Sequence, residues 1–347
     1  MIDFNLNSLI RENVKALKPY SSARDEFKGF KQDMVFLDAN ENPIFNGVNR
    51  YPDPQQTSVK RVLSEQKDVA IENILLGNGS DEVLDLIYRA FCEPNVDNVI
   101  TMPPTYGMYS VLAGINNVEN REVLLTKFFQ PDVDAILEQI DKHTKLLFIC
   151  SPNNPTGNAF NATLIEEILV NFKGLVIIDE AYIDFSSKES WLNKLENYPN
   201  LIVTQTLSKA FGLAGIRLGI CYASTEIIAV LNKIKPPYNV NELTQQRALK
   251  RLINIGIVQN EINTILSQKH KLLKLLPEIE FIEEIYPTDG NFILVKVDDA
   301  DKRYNQLLEK GIVVRNRTNQ PLCENCLRFT IGANNENKRL IKALNEI

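Results

Sequence analysis

The chain has 347 residues, 44% hydrophobic and 24% charged, with 44 acidic against 38 basic side chains and a formal net charge of −6. That length exceeds the size at which one core usually stops growing, so a large domain with a smaller one packed on it is expected. The acidic balance leaves no basic footprint for nucleic acid, and an anionic ligand must be caught by individually placed arginines.

Residues 1–45 carry polar turn chemistry around Pro19 and Asn40-Glu41-Asn42-Pro43 and read as an amino-terminal arm that also contributes to the smaller domain. The start, Met-Ile-Asp-Phe-Asn-Leu-Asn, has no basic segment followed by an apolar core, and no apolar run approaches membrane-spanning length, so a soluble, unexported, cytoplasmic protein is expected. Residues 46–237 are read as the large domain. A helical stretch over 56–67 precedes the apolar run Ile74 to Leu76, and Gly77-Asn78-Gly79-Ser80-Asp81-Glu82 opens a periodic helix to about 92. Strand-like runs follow at 98–102, 145–150, 174–178, 200–205 and 216–222, mostly separated by helical patterns. That alternation predicts an α/β domain whose mainly parallel sheet is covered by helices.

Pro236-Pro237 marks a candidate hinge into a smaller α+β domain over 238–347. Helical segments run from 241 to about 276, and strands are expected at 280–285, 291–297, 311–315 and 326–331, with one helix between the second and third and another at the carboxyl end. The five cysteines, Cys92, Cys150, Cys221, Cys323 and Cys326, are odd in number and scattered, which fits reduced thiols rather than a disulfide framework. Cys323 and Cys326 make a C-x-x-C, but His143 and His270 lie far off without ligand spacing, so no metal site is expected.

Several segments carry chemistry. Lys209 lies in the hydroxyl-rich run 204–219, eight residues before Arg217, a composition suited to anchoring an aldehyde phosphate: a nearby cation lowers an amine's pKa, and Thr206, Ser208 and Arg217 can hold the phosphate. Taken alone, a surface lysine in a Gly-rich loop is the better reading, and the segments below reverse it. Gly77 to Glu82 offers a helix amino terminus to a phosphate, or a plain cap at Ser80 or Asp81. Pro103 to Tyr109 follows a strand and places Tyr106 for stacking on a flat ring, unless it is simply a core aromatic.

Ser151-Pro152-Asn153-Asn154-Pro155-Thr156-Gly157 emerges from a buried strand at the carboxyl edge of the sheet, where Asn154 can donate to a phenolate oxygen; the bland alternative is a turn. Asp179, ending the strand before Glu180-Ala181-Tyr182, would be costly to bury without a cation, and a protonated ring nitrogen would supply one; helix capping competes with that reading. Tyr182 can reach the same phenolate oxygen. Arg315 and Arg328 sit in or beside apolar strands, as a fork for a carboxylate or phosphate or as structural ion pairs. Arg50-Tyr51-Pro52-Asp53-Pro54 is a rigid turn exposing a tyrosine and indicates no chemistry by itself.

With these segments together, the chain resembles the fold-type I pyridoxal-phosphate aminotransferases and, within them, is similar to the histidinol-phosphate aminotransferases. Further segments carry the likeness over nearly the whole length: Lys18-Pro19-Tyr20, Leu37 to Pro43, Arg50 to Asp53 and Pro236-Pro237-Tyr238-Asn239. The resemblance implies a large domain with a sheet of the seven-stranded type, and pyridoxal 5'-phosphate as cofactor. It implies that Lys209 bonds the coenzyme and moves the proton, that Asp179 pairs with the ring nitrogen, and that Asn154 and Tyr182 hold the ring hydroxyl. Tyr106 would stack on the ring, while Ser80, Asp81, Thr206, Ser208 and Arg217 bind the phosphate. Tyr51 would reach that phosphate from the neighbouring subunit of a homodimer, and Tyr20, Arg315 and Arg328 would recognise the anionic ends of the substrates, L-histidinol phosphate and 2-oxoglutarate or glutamate.

One departure, Thr288-Asp289-Gly290, stands where relatives carry smaller or hydroxyl residues and bears on substrate fit. Rival readings are an aromatic amino acid aminotransferase and a threonine-phosphate decarboxylase of the same fold. A coenzyme-binding regulator would need an added DNA-binding domain, for which there is neither spare length nor basic surface.

Overall fold

In a computed structural model the protein is described over residues 4–19 and 35–347. Its larger sheet contains β1 (Ile74–Asn78), β2 (Asn98–Thr101), β3 (Glu119–Glu122), β4 (Thr144–Cys150), β5 (Leu175–Asp179), β6 (Leu201–Thr206) and β7 (Leu218–Ala223). The strand order is β1-β7-β6-β5-β4-β2-β3. β7 runs antiparallel to β1 and β6, and the other neighbours pair in parallel.

Apart from the edge strand β3, the strands are largely apolar runs because both faces of the sheet are covered. Side chains alternate between faces with a period of two. Leu147, Ile149, Val176, Ile178, Leu201 and Val203 therefore enter one core, completed by the helices Thr57–Lys67 and Ala162–Asn171. Leu146, Phe148, Leu175, Ile177 and Ile202 enter the other, packed under the helix Ser80–Phe91.

This topology decides what meets at one edge. The parallel strands β2, β4, β5 and β6 all deliver their carboxyl ends there, where open α/β sheets place ligands. Because β7 is reversed, its beginning lies beside the end of β6, with Gly219 opposite Thr206. The end of β1 pairs with the same start, Asn78 opposite Leu218, so the turn into the helix Ser80–Phe91 emerges at that edge too.

The smaller sheet, β8 (Ile282–Ile285), β9 (Phe292–Val297), β10 (Arg315–Asn316) and β11 (Cys326–Thr330), is antiparallel in the order β10-β11-β9-β8. The helices Ala300–Glu309 and Asn334–Asn345 cover it. The 21-residue helix Ile255–Leu275 joins the two halves, placing Val258 and Ile262 in the large core and Leu272 in the small one.

Two elements differ from expectation. β3 is the polar segment Glu-Asn-Arg-Glu at the sheet edge, where a strand needs no apolar alternation and charge discourages edge-to-edge pairing. The strand expected over 311–315 shrinks to Arg315–Asn316, because Gly311 takes φ +72° and Ile312 to Val314 run outside the ladder.

The Thr288-Asp289-Gly290 turn latches the two halves together. Asp289 donates its amide to the Gly157 carbonyl at 2.7 Å, while its carboxylate accepts from the Ala159 amide at 2.8 Å and the Ser186 hydroxyl at 3.2 Å. A Cβ on Gly157, which has φ +87°, would stand 2.7 Å from Thr288 Oγ1, so glycine is required for this approach. Asp289→Ala strands the Ala159 amide and the Ser186 hydroxyl, and urea denaturation is expected to show a loss of about 1–3 kcal/mol. An unchanged midpoint and slope would show that the latch adds nothing to stability.

Candidate active site

The strand ends at the carboxyl edge form the floor of a cavity of about 510 Å³, and the β10–β11 hairpin forms its opposite wall. The cavity gathers Ser80, Asp81, Tyr106, Asn154, Asp179, Tyr182, Thr206, Ser208, Lys209, Arg217, Arg315 and Arg328. Tyr51 is not among its lining residues. It stacks on Tyr238 at 4.5 Å between centroids and borders a separate groove with Arg50 and Asn241. Tyr20 lies outside the described residues. The Thr288–Gly290 turn also lies off the cavity lining, behind the Asn-Pro-Thr-Gly loop that it holds.

Asp179 is only 4% exposed. One carboxylate oxygen accepts from the Tyr109 hydroxyl at 2.8 Å and the other from the Ala181 amide at 3.1 Å. Among the described residues it has no salt bridge. Burial raises its pKa, against the lowering effect of the Tyr109 and Ala181 hydrogen bonds. A buried carboxylate facing a cavity without a cationic partner is costly, and a cationic group entering the cavity would relieve that cost. The sequence reading missed Tyr109; its position three residues beyond Tyr106 at the start of the helix Met108–Ile115 is a signal visible only once the helix is placed. Its ring stacks on Phe148 at 5.0 Å and meets Tyr106 edge-on at 5.6 Å.

Lys209 lies in the turn after β6, open to the cavity, with its ammonium 5.4 Å from the centroid of the Tyr182 ring. The enclosing walls, then the charge of Arg328, lower its pKa, which brings the neutral amine closer to the working range. Tyr182 is nearly buried and meets Phe292 edge-on at 5.1 Å, and burial raises its phenol pKa. The Asn154 carbonyl oxygen accepts from Arg328 Nη1, which leaves the amide nitrogen as the donor available to the cavity. Tyr106 donates to Asp81 at 3.0 Å, which sets the position of its ring.

At the other end of the cavity, Gly79 has φ +83° and the helix Ser80–Phe91 begins without a side-chain cap. Its first N–H groups and dipole are therefore available to an anion. Arg217, in a left-handed conformation at φ +54°, donates to Ser208 Oγ at 3.4 Å and lies 3.9 Å from Asp81. Thr206 Oγ1 accepts from the Ser208 amide at 3.1 Å. A Cβ on Gly79 would come within 2.6 Å of Arg217 Nη2, and one on Gly219 within 2.4 Å of the Gly79 carbonyl carbon and the Ser80 nitrogen. These two glycines make the close approach of guanidinium and helix terminus possible.

The opposite wall is cationic. Arg315 and Arg328 are directly paired across β10 and β11, and Arg317 also lines the cavity. Among the described residues none of the three has an acidic partner, and Nε of Arg317 and Nε of Arg328 are buried without a hydrogen bond. Burial, then the Arg317 charge, pushes the Arg328 guanidinium down to about 10. Arg317 escaped the sequence reading, although its spacing of two from Arg315 puts both on one strand face.

The donors and the carboxylate thus suit a phosphate-bearing cationic ring, with an amine between them. Comparison with known proteins agrees with that chemistry. The family model for class I and II aminotransferases matches residues 26–346. The chain is 67% identical over 345 residues, 99% of each chain, to a histidinol-phosphate aminotransferase of Flavobacterium johnsoniae, and 66% identical over 347 residues, 100% of this chain and 99% of the relative, to one of Christiangramia forsetii. Among solved structures, the histidinol-phosphate aminotransferase of Clostridium acetobutylicum matches with a TM-score of 0.80 at 25% identity, covering 86% of this chain and 90% of that one. The fold also matches a Sinorhizobium meliloti histidinol-phosphate aminotransferase in complex with pyridoxal-5'-phosphate, with a TM-score of 0.78 at 21% identity over 86% of this chain and 82% of that one. The chain belongs to the class I and II aminotransferases and, within them, to the histidinol-phosphate aminotransferase family.

Proposed function

We propose that this chain transfers the amino group of L-histidinol phosphate to 2-oxoglutarate, giving imidazole-acetol phosphate and glutamate, as a step of histidine biosynthesis. The observation that carries this reading is one cavity that gathers Lys209, a buried carboxylate and an arginine wall, with neither the carboxylate nor the arginines in a salt bridge among the described residues. Relatives at 67% and 66% identity, named histidinol-phosphate aminotransferase, support the same assignment.

Pyridoxal 5'-phosphate fits the residues present. Gly79 to Asp81 at the helix terminus, with Thr206, Ser208 and Arg217, would hold its phosphate, Asp179 its ring nitrogen, and Asn154 and Tyr182 its ring hydroxyl, with Tyr106 against the ring. When bound, the coenzyme supplies an aldehyde that captures the substrate amine and a cationic conjugated ring that takes up electrons released at Cα. Asp179, buried and without a salt bridge among the described residues, favours the protonated ring. Lys209, its pKa lowered by the cavity walls and Arg328, moves the proton at Cα as base and then as acid. Arg315 and Arg328 receive the anionic end of either substrate, a phosphate or a carboxylate.

The residues around Tyr51 support a homodimer with the site at the interface. Leu37 at 88%, Ile44 at 72% and Phe45 at 85% exposure lie in the segment leading to a half-exposed Tyr51, and Phe45 borders one groove with it; these large apolar side chains are suited to burial against a second copy. Tyr51 would then reach the coenzyme phosphate of the neighbouring subunit, and Tyr20 would join the substrate site. The buried free cysteines fit a reducing cytoplasm. Among the described residues no helix is long and apolar enough to cross a membrane.

Titrating the yellow holoenzyme separately with L-histidinol phosphate, L-phenylalanine and O-phosphothreonine tests the assignment. Histidinol phosphate is expected to bleach the colour at the lowest concentration; faster bleaching by phenylalanine, or carbon dioxide release from phosphothreonine, would overturn the substrate. Lys209→Ala is expected to lower transamination at least about a hundredfold, with the coenzyme still retained by its phosphate contacts. In Gly219→Ala the new Cβ collides with the Gly79–Ser80 backbone, so coenzyme affinity, followed by fluorescence, should fall on the order of tenfold to a hundredfold. Wild-type affinity in that variant would place the phosphate elsewhere.

A further inference from the structure

We propose that Arg317 is a specificity-determining residue: it completes a wall of three guanidinium groups that favours a phosphate monoester over a carboxylate at the substrate's anionic end. The inference rests on the functional reading above and concerns a residue to which that reading gives no role.

The backbone places the three arginines together. Arg315 lies directly opposite Arg328, and the Arg317 amide donates to the Cys326 carbonyl at 2.8 Å, extending the β10–β11 ladder by one step. Residues two apart on a strand share a face, so Arg315 and Arg317 project to the side on which Arg328 stands. Like charges paired across a sheet repel. Here three are gathered, and among the described residues no carboxylate lies within salt-bridge distance of any of them.

The hairpin that carries Arg317 is well defined. Gln320 donates to the Arg317 carbonyl at 2.8 Å, Cys323 to Gln320 at 3.1 Å and Cys326 to Cys323 at 3.0 Å, while the Cys323 and Cys326 side chains are fully buried beneath. Arg317 is thus presented on successive turns anchored in the core.

The donor supply exceeds what a carboxylate can use. A carboxylate has two oxygens and one charge, and one guanidinium fork can satisfy it. A phosphate monoester has three terminal oxygens and close to two charges at neutral pH. Arg328 already gives Nη1 to Asn154, yet its Nε is buried and unpartnered, as is Nε of Arg317. The guanidinium groups of Arg315 and Arg317, which line the cavity and hold no hydrogen bond or ion pair among the described residues, match the additional oxygen and charge of a phosphate. Burial, then the Arg315 charge, depresses the Arg317 pKa, the direction expected of a cation that awaits an anion.

Steady-state kinetics of the holoenzyme with Arg317→Gln and Arg317→Lys test the proposal. In Arg317→Gln the KM for histidinol phosphate should rise about tenfold to a hundredfold with kcat nearly unchanged, while the KM for glutamate moves less than about threefold; Arg317→Lys should recover part of the loss. Inorganic phosphate should also inhibit the glutamate half-reaction about tenfold more weakly in Arg317→Gln than in wild type. Equal effects on both substrates, or unchanged phosphate inhibition, would overturn the role. If the wild-type enzyme does not turn over histidinol phosphate, the functional reading falls, and phosphate inhibition alone decides the proposal for Arg317. If Arg317→Gln fails to fold, judged by circular dichroism and coenzyme colour, Arg317→Lys decides by the same comparison, since it keeps a point charge but loses the fork.

Discussion

The rest of the site depends on the Asp179 carboxylate, buried at the tip of β5, held by one phenol and one amide and left without a cation among the described residues. A charge in that position is unfavourable in the protein alone, so the cavity in front of it favours a ligand that brings the opposite charge. The sheet makes the arrangement possible. Parallel β4, β5 and β6 end together, and the reversed β7 returns Arg217 to the same edge beside the start of the helix Ser80–Phe91. The two ends of one planar ligand, a cationic nitrogen and a phosphate, are thereby answered by opposite ends of the floor.

Electrostatics divides the cavity. The chain carries a net charge of −6, yet the wall facing Asp179 holds three arginines that have no acidic partner among the described residues. The two sides are linked through Asn154, whose carbonyl oxygen takes a donor from Arg328 and whose amide nitrogen remains for the ligand. An anion seated on the arginines would draw on the same guanidinium that orients this amide, and its charge would act on Lys209, whose pKa Arg328 helps to depress. On the proposed function, substrate binding and proton transfer would be coupled through this one side chain.

Much of this was legible in the chain because chemistry and topology coincide in short segments. Strand ends followed directly by polar groups, as at Asn154 and Asp179, can be read from apolar runs alone, and the same runs indicated the parallel sheet. β3 was not legible, because an edge strand of four polar residues carries no burial pattern. Tyr109 and Arg317 were missed for a related reason: each acts through register, one by its place on a helix beneath Asp179 and the other by its place on a ladder opposite Cys326. The Thr288–Gly290 turn was noticed but assigned to substrate fit, whereas its observed contacts hold the smaller sheet to the Asn-Pro-Thr-Gly loop, a long-range pairing that local sequence does not encode.

The central claim is that Asp179 keeps a bound heterocycle cationic. The most direct measurement is the nitrogen-15 chemical shift of ring-labelled coenzyme in the holoenzyme, followed across the neutral pH range in wild type and in Asp179→Asn. A protonated ring nitrogen throughout in wild type, lost in the variant, is the expected result. A free pyridine shift in wild type, or the same protonated shift in both proteins, would contradict it.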